Sequence, residues 1–411
     1  MAKKGIIVQK YGGTSVANSK KIMGVAKKVA DCRRKGYNVV VVVSALGDTT
    51  DKLLDLASEI NKNPSERELD MLMSTGEQVS VALLAMALHT LGEEAISFTG
   101  AQVGILTDSS HTKAKIVDVN ADRIKKELKK GKIVIVAGFQ GINIDREITT
   151  LGRGGSDMTA VALAKALKAK MCEIYTDVKG VYTADPRVVP GARKLDSISY
   201  EEMLELASMG AQVMQARSME VAGKFNIPMR VRSSFCDDEG TLITKEARAM
   251  EDVLVRGITI NKKEAKITVC DVPDRPGEAS RLFEMLAKAD INVDMIIQNI
   301  SRTKSTDISF TIEEKDLCKI QAMSENLAKK IGAKTIKYDR DVSKVSVVGI
   351  GMRSHSGVAA KMFSVLAKNK INIQMISTSE IKISCVLDKK SGDKAVKALH
   401  KAFGLSKKHG K

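Results

Sequence analysis

The chain has 411 residues, a formal net charge of +17, 44% hydrophobic and only 3% aromatic residues, and six cysteines with no CxxC pair. That length implies about two to four globular units, and the scattered cysteines exclude a zinc or disulfide framework. Scarce aromatics argue against a stacking platform for single-stranded nucleic acid, so the lysines are read as solvated helix faces that draw in anionic small molecules.

The N-terminal residues lead into a short strand instead of a signal peptide, and no apolar run is read as long enough to cross a bilayer. A cytoplasmic protein is therefore expected, with neither membrane nor nucleic acid as partner. Gly5 to Tyr11 predicts a strand, Gly12-Gly13-Thr14-Ser15 a turn, and Asn18 a cap for a helix carrying Ile22, Val25, Val29 and Cys32 on one face. Asn38 to Ser44 is a β-branched run of the kind buried on both faces of a parallel sheet. A long helix over Glu66 to Leu91, a short strand over Glu94 to Phe98 and another buried strand over Lys132 to Ala137 continue the alternation.

Leu151-Gly-Arg-Gly-Gly-Ser-Asp157 then runs directly into an apolar-periodic helix. A glycine turn at a helix start offers exposed N–H groups and a positive dipole end to a carboxylate or phosphate, and Arg153 adds a bidentate fork. Cys172 to Asp177 predicts a further strand ending in polar residues, Tyr200 to Phe225 two helices, and Pro228 to Ser233 a last strand before a domain end near Thr244. Because ligands of open α/β sheets bind at the strands' carboxyl ends, Lys10, Ser44, Arg153 and Asp177 can converge.

Beyond Gly257 a repeat appears. Gly277, Ala279, Phe283, Leu286, Ala287, Lys288, Ile291, Asn292, Met295 and Ile296 each recur 80 residues later, which marks a tandem duplication of a small α/β module.

Lys10-Tyr-Gly-Gly-Thr-Ser-Val16, Val42 to Asp51, Ser74-Thr-Gly-Glu77, Phe139-Gln-Gly141, Gly152 to Asp157 and Tyr175 to Arg187, in this order and followed by the duplication, resemble the aspartokinase family. The resemblance implies an α/β fold: an amino-acid-kinase domain at 1–245, with a mainly parallel sheet sandwiched by helices, then two ferredoxin-like ACT modules. These are expected at 257–337 and 343–405, the second completed by the strand near 253–260. Glu77, the Gly152 to Asp157 turn and the duplicated tail count against kinases of N-acetylglutamate, glutamate, carbamate or uridylate.

The implied reaction moves the γ-phosphoryl group of ATP, with Mg2+, to the side-chain carboxylate of L-aspartate. Lys10 would act on the transferring group and Asp177 would orient it and reach Mg2+ through water; no protein metal ligand is assigned. ATP would meet Lys10, Tyr11, Gly12, Gly13, Ser156, Thr176, Asp177, Tyr182, Asp185 and Arg187. Aspartate would meet Ser44, Glu77, Arg153, Gly154, Gly155 and Ser156, with Arg153 on its α-carboxylate and Glu77 on its ammonium. Phe235 stands where some relatives carry a nucleotide-contacting lysine. An effector, lysine or threonine or both, would meet Asp274, Arg275, Gly277, Glu278, Ala279, Asn292, Gln298 and Asn299. The ACT modules would also join copies into a homo-oligomer.

Overall fold

The computed structural model describes residues 4–152, 154–208, 214–245, 254–300, 305–350, 352 and 357–406. The chain divides into two compact units, 1–182 with 194–208 and 212–250, and 183–193 with 209–211 and 251–411.

The first unit opens with strand β1 (Ile6–Tyr11), helix α1 (Ser19–Arg34), β2 (Asn38–Val43), α2 (Thr49–Ile60), α3 (Glu66–Thr90) and β3 (Ala95–Phe98). It continues through β4 (Ile105–Thr107), β5 (Ile116–Val119), α4 (Asp122–Lys129), β6 (Ile133–Ala137), β7 (Gln140–Ile142), β8 (Ile148–Thr150), α5 (Gly155–Ala166) and β9 (Met171–Thr176). The last elements are β10 (Ser197–Ser199), α6 (Tyr200–Ser208), α7 (Ala216–Lys224), β11 (Met229–Ser233) and β12 (Thr241–Thr244). Eight strands form one sheet in the order β10-β12-β11-β9-β1-β2-β6-β3, and only β11 and β12 run antiparallel. The valines of β2 are buried throughout, as a strand covered on both faces requires.

Chain alternation decides which side of the sheet each group serves. Tyr11 joins Val25, Val29 and Val41 in the core on one side, so Lys10 lies on the other, where α5 packs. β1 is also the switch point, with β2 and β6 to one side and β9 and β11 to the other, so a crevice opens at its carboxyl end.

Two features differ from expectation. β12 follows the strand expected to be last, and β4, β5, β7 and β8 form a separate four-stranded sheet. Strands of three or four residues are too short to show an alternating pattern. Helix α3 is also long and apolar enough by composition to cross a membrane, which the sequence reading did not credit, but 56% of its apolar window is buried in the fold.

The second unit comprises β13 (Gly257–Pro273), α8 (Glu278–Lys288), β14 (Val293–Ile300), β15 (Ser305–Glu313), α9 (Leu317–Ile331), β16 (Thr335–Val348), α10 (Gly357–Lys368), β17 (Met375–Thr378), β18 (Lys382–Asp388) and α11 (Gly392–Ala402). Its six strands form one sheet, β14-β15-β13-β16-β18-β17. The 80-residue repeat is visible as α8 and α10 beside β14 and β17. β13 is shared. Its first part, Gly257 to Asn261, pairs with β16 beside β18, and after a bulge its second part, from Glu264, pairs with β15.

Each half has its own core, one around Leu282, Leu286, Phe310 and Leu327, the other around Val345, Met362, Leu366 and Leu399. The stretch Thr183–Arg193, expected within the catalytic span 1–245, packs here. Ala184 and Val189 enter the second core, and Thr183 meets Ile258 through its carbonyl at 2.8 Å and His400 Nε2 through its hydroxyl at 2.9 Å.

Candidate active site

Glycines let the segments at the carboxyl ends of β1, β2 and β6 come together. A Cβ on Gly13 would lie 2.8 Å from the carbonyl oxygens of both Ala45 and Gly47, and one on Gly138 would lie 2.6 Å from Ser156 Oγ. Gly154 adopts the left-handed conformation, at φ 73°, that starts α5. Gly155, Ser156 and Asp157, all buried, then form the helix's first turn. Their backbone donors and the helix dipole favour negative charge at this point.

Lys10 Nζ lies 2.6 Å from Asp157 Oδ1, and Asp157 Oδ2 accepts from the backbone N–H of Gln215 at 3.2 Å. Both side chains are mostly buried, which strengthens their attraction relative to a surface pair. They face a cleft of about 380 Å³ lined by Lys10, Gly12, Thr14, Gly154, Asp157 and Thr176 among others. Beside it, Ser44 Oγ donates to Ser156 Oγ at 3.0 Å.

Glu77 is reached from the same loop. Gly76 brings α3 against Ala45, where a Cβ would stand 2.8 Å from the alanine methyl, and Glu77 Oε1 accepts from Ala45 N–H at 3.1 Å. Its Oε2 is buried and accepts no hydrogen bond. Burial pushes the carboxyl up to about 7, against the lowering effect of its backbone hydrogen bonds.

Several expected site residues stand elsewhere. Tyr11 cannot offer its ring to a ligand in the cleft, because strand alternation turns it to the opposite face, where it stacks on Tyr175 at 4.5 Å. There Gln9 and Arg232 donate to Glu173, at 2.8 and 3.1 Å, beneath β1. Asp177 is exposed and accepts from Thr176 Oγ1 at 3.0 Å; the carboxylate on Lys10 is Asp157 instead. The sequence assigns Asp157 no role of its own, although an acidic residue in a buried first turn is an available signal. Tyr182 is half-buried and bridges to Lys194. Asp185 and Arg187 belong to the second unit, where they pair at 2.8 Å. Arg153 lies outside the described residues. Lys21 Nζ stands 5.1 Å from the Phe235 ring and donates to Thr14 O at 2.9 Å, so a cation sits by the position that Phe235 occupies.

In the second unit, Asp274 and Arg275 are exposed in the turn before α8, and Gly277 is left-handed with open space around it. Glu278 is buried, accepts from Arg281 at 2.9 Å and keeps a buried Oε2 that accepts no hydrogen bond. Ala279 is half-buried, while Asn292, Gln298 and Asn299 are exposed.

Comparison with known proteins gives the family. Residues 5–233 match the model of the amino acid kinase family, and residues 252–322 and 345–403 match an ACT domain. The aspartate kinase of Pseudomonas putida is 54% identical over 401 residues, spanning 97% of this chain and 98% of that protein. Two crystal structures of E. coli aspartokinase III align over 97% of this chain and 99% of theirs. One, with aspartate and ADP, has a TM-score of 0.83 at 26% identity; the other, with lysine and aspartate, has 0.74 at 25%. The chain belongs to the amino acid kinase family, as an aspartokinase with ACT domains.

Proposed function

We propose that this enzyme transfers the γ-phosphoryl group of ATP to the side-chain carboxylate of L-aspartate, giving 4-phospho-L-aspartate and ADP. The observation that carries the reading is the buried Lys10–Asp157 pair at a helix N-terminus, beside a loop that also holds the buried carboxyl of Glu77, whose Oε2 accepts no hydrogen bond. An attacking carboxylate needs no general base, so the protein's work is positioning and charge neutralisation. Lys10, fixed by Asp157, meets the charge that grows on the transferred group, and the N–H of Gly13 holds a phosphate oxygen, while that of Gly12 donates to the Tyr175 carbonyl at 3.4 Å.

Arg153 pairs with the α-carboxylate and Glu77 with the ammonium, which leaves the β-carboxylate directed at ATP. Ser44, Gly154, Gly155 and Ser156 line the amino-acid side. Thr176, Asp177 and Tyr182 serve the nucleotide. Among the described residues no cluster of three His, Cys, Asp or Glu could hold a metal. Mg2+ would come with the ATP phosphates, with Asp177 reaching it through water, and would supply charge neutralisation there.

The duplicated modules, taken as 257–337 and 343–405 after a catalytic domain at 1–245, bind lysine or threonine or both at the Asp274–Ala279 turn with Asn292, Gln298 and Asn299. They also join copies of the chain. The enzyme works in the cytoplasm at the first step toward lysine, threonine and methionine. Purified protein with ATP, Mg2+, aspartate and hydroxylamine should yield aspartyl hydroxamate. Hydroxamate from N-acetylglutamate or glutamate in preference would refute the substrate.

A further inference from the structure

Asp70 is completely buried on α3, yet it carries several strong contacts. Both of its oxygens accept from Thr112 N–H at 3.0 Å, Oδ1 accepts from Thr150 Oγ1 at 2.5 Å, and Oδ2 lies 2.8 Å from His111 Nδ1. A fully buried carboxylate is costly unless so saturated, and this one gathers two segments distant in sequence. Both segments lead to the glycine turn. Thr150 immediately precedes Leu151-Gly152, and a Cβ on Gly152 would sit 3.3 Å from Thr112 O. Ala114 N–H donates to Thr150 O at 2.8 Å, and Arg217 closes the arrangement by donating to the carbonyls of Ala114 and Leu151 at 2.9 and 3.4 Å.

Asp70 and Glu77 are seven residues apart on α3, two turns along one face, roughly 10 Å at helical rise. We infer that Asp70 is a positioning residue for the amino-acid substrate: α3 acts as a rigid ruler that sets the distance between Glu77 and the Thr150-Leu151-Gly152 segment that leads into α5. This inference rests on the proposed roles of Glu77 and Arg153. It adds that the spacing between the two ends of the amino acid is fixed from a residue that touches neither.

The test is steady-state kinetics of Asp70→Asn and of the milder, near-isosteric Thr150→Val, each checked for a cooperative thermal transition. Asp70→Asn turns an amide donor toward groups that donate. Loss of a charge-assisted contact should raise the aspartate KM about tenfold or more, with the ATP KM within about twofold and kcat at saturating aspartate changed less than KM. Thr150→Val should move the aspartate KM in the same direction by a smaller factor. A purely structural role would move both KM values together or lower only the thermal midpoint, and either outcome in folded variants would overturn the inference. Glu77→Gln run in parallel separates the two levels. If it raises the aspartate KM and the Asp70 and Thr150 variants do not, only the ruler falls; if it does not, the reading beneath falls as well.

Discussion

Lys10 and Asp157 meet at 2.6 Å although one ends the first strand and the other begins a helix almost 150 residues later. The pair joins the lysine ammonium to the first turn of a buried helix, whose N-terminal dipole stabilises the carboxylate. A lysine held in this way is available to one place in the cleft and loses little freedom when a phosphoryl group arrives.

The pH dependence of aspartate use should report Glu77. Its folded pKa is raised to about 7, so the stabilising contribution of the protonated form is present at acid pH and is lost as pH rises through about 7. An ammonium ligand prefers the ionised form. kcat/KM for aspartate should therefore climb as pH rises through about 7, and Glu77→Gln should flatten that limb. An unaltered limb in the variant would place the titration elsewhere.

Gly13→Ala should damage the nucleotide side. Its Cβ would press on two backbone carbonyls at 2.8 Å, which cannot swing aside as a flexible side chain does. Overpacking of this kind costs about 1 to 3 kcal/mol, and the ATP KM should rise about tenfold. Nucleotide titration of the variant checks it; unchanged ATP affinity would show that the turn yields without affecting the site.

Lys344→Met should destabilise the second unit. The ammonium is almost fully buried between Glu264 and Asp294; burial alone would lower its pKa, but the two carboxylates hold it above the ordinary lysine range. Removing it strands Glu264 in the sheet at a cost of about 3 to 5 kcal/mol. Urea unfolding should show the loss, and adding Glu264→Gln should restore part of it. No recovery would mean that packing, not charge, is the cause.

Asp274→Ala should raise the concentration of lysine or threonine needed for inhibition while uninhibited turnover stays nearly intact. A useful switch needs about 1 to 3 kcal/mol of coupling, which must run in both directions if it acts through binding. Inhibition at wild-type concentrations by every effective amino acid would place the effector site elsewhere.

Much of this molecule is legible in its sequence. The Val39 to Val43 run announces a central strand, the glycine turn announces the start of α5, and the 80-residue offset announces two modules, because each signal is local or periodic. The partners of buried charges are not local. Asp157 looks like a cap until β1 brings Lys10 beside it, and Asp70 looks like any helix carboxylate until Thr112 and Thr150 meet it from 42 and 80 residues away. Tyr11 lies between residues that line the cleft, yet the period of two along a strand sends its ring to the other face. Thr183 to Arg193 carries a kinase motif at its start but packs its apolar residues with the second unit, and nothing in its composition says so.

The role proposed for Lys10, held by Asp157, is to act on the transferring phosphoryl group. The direct measurement is hydroxamate formation by Lys10→Ala, alongside aspartate binding by the same protein. In this variant kcat should fall by orders of magnitude with aspartate affinity little changed. Turnover near that of the parent would contradict it.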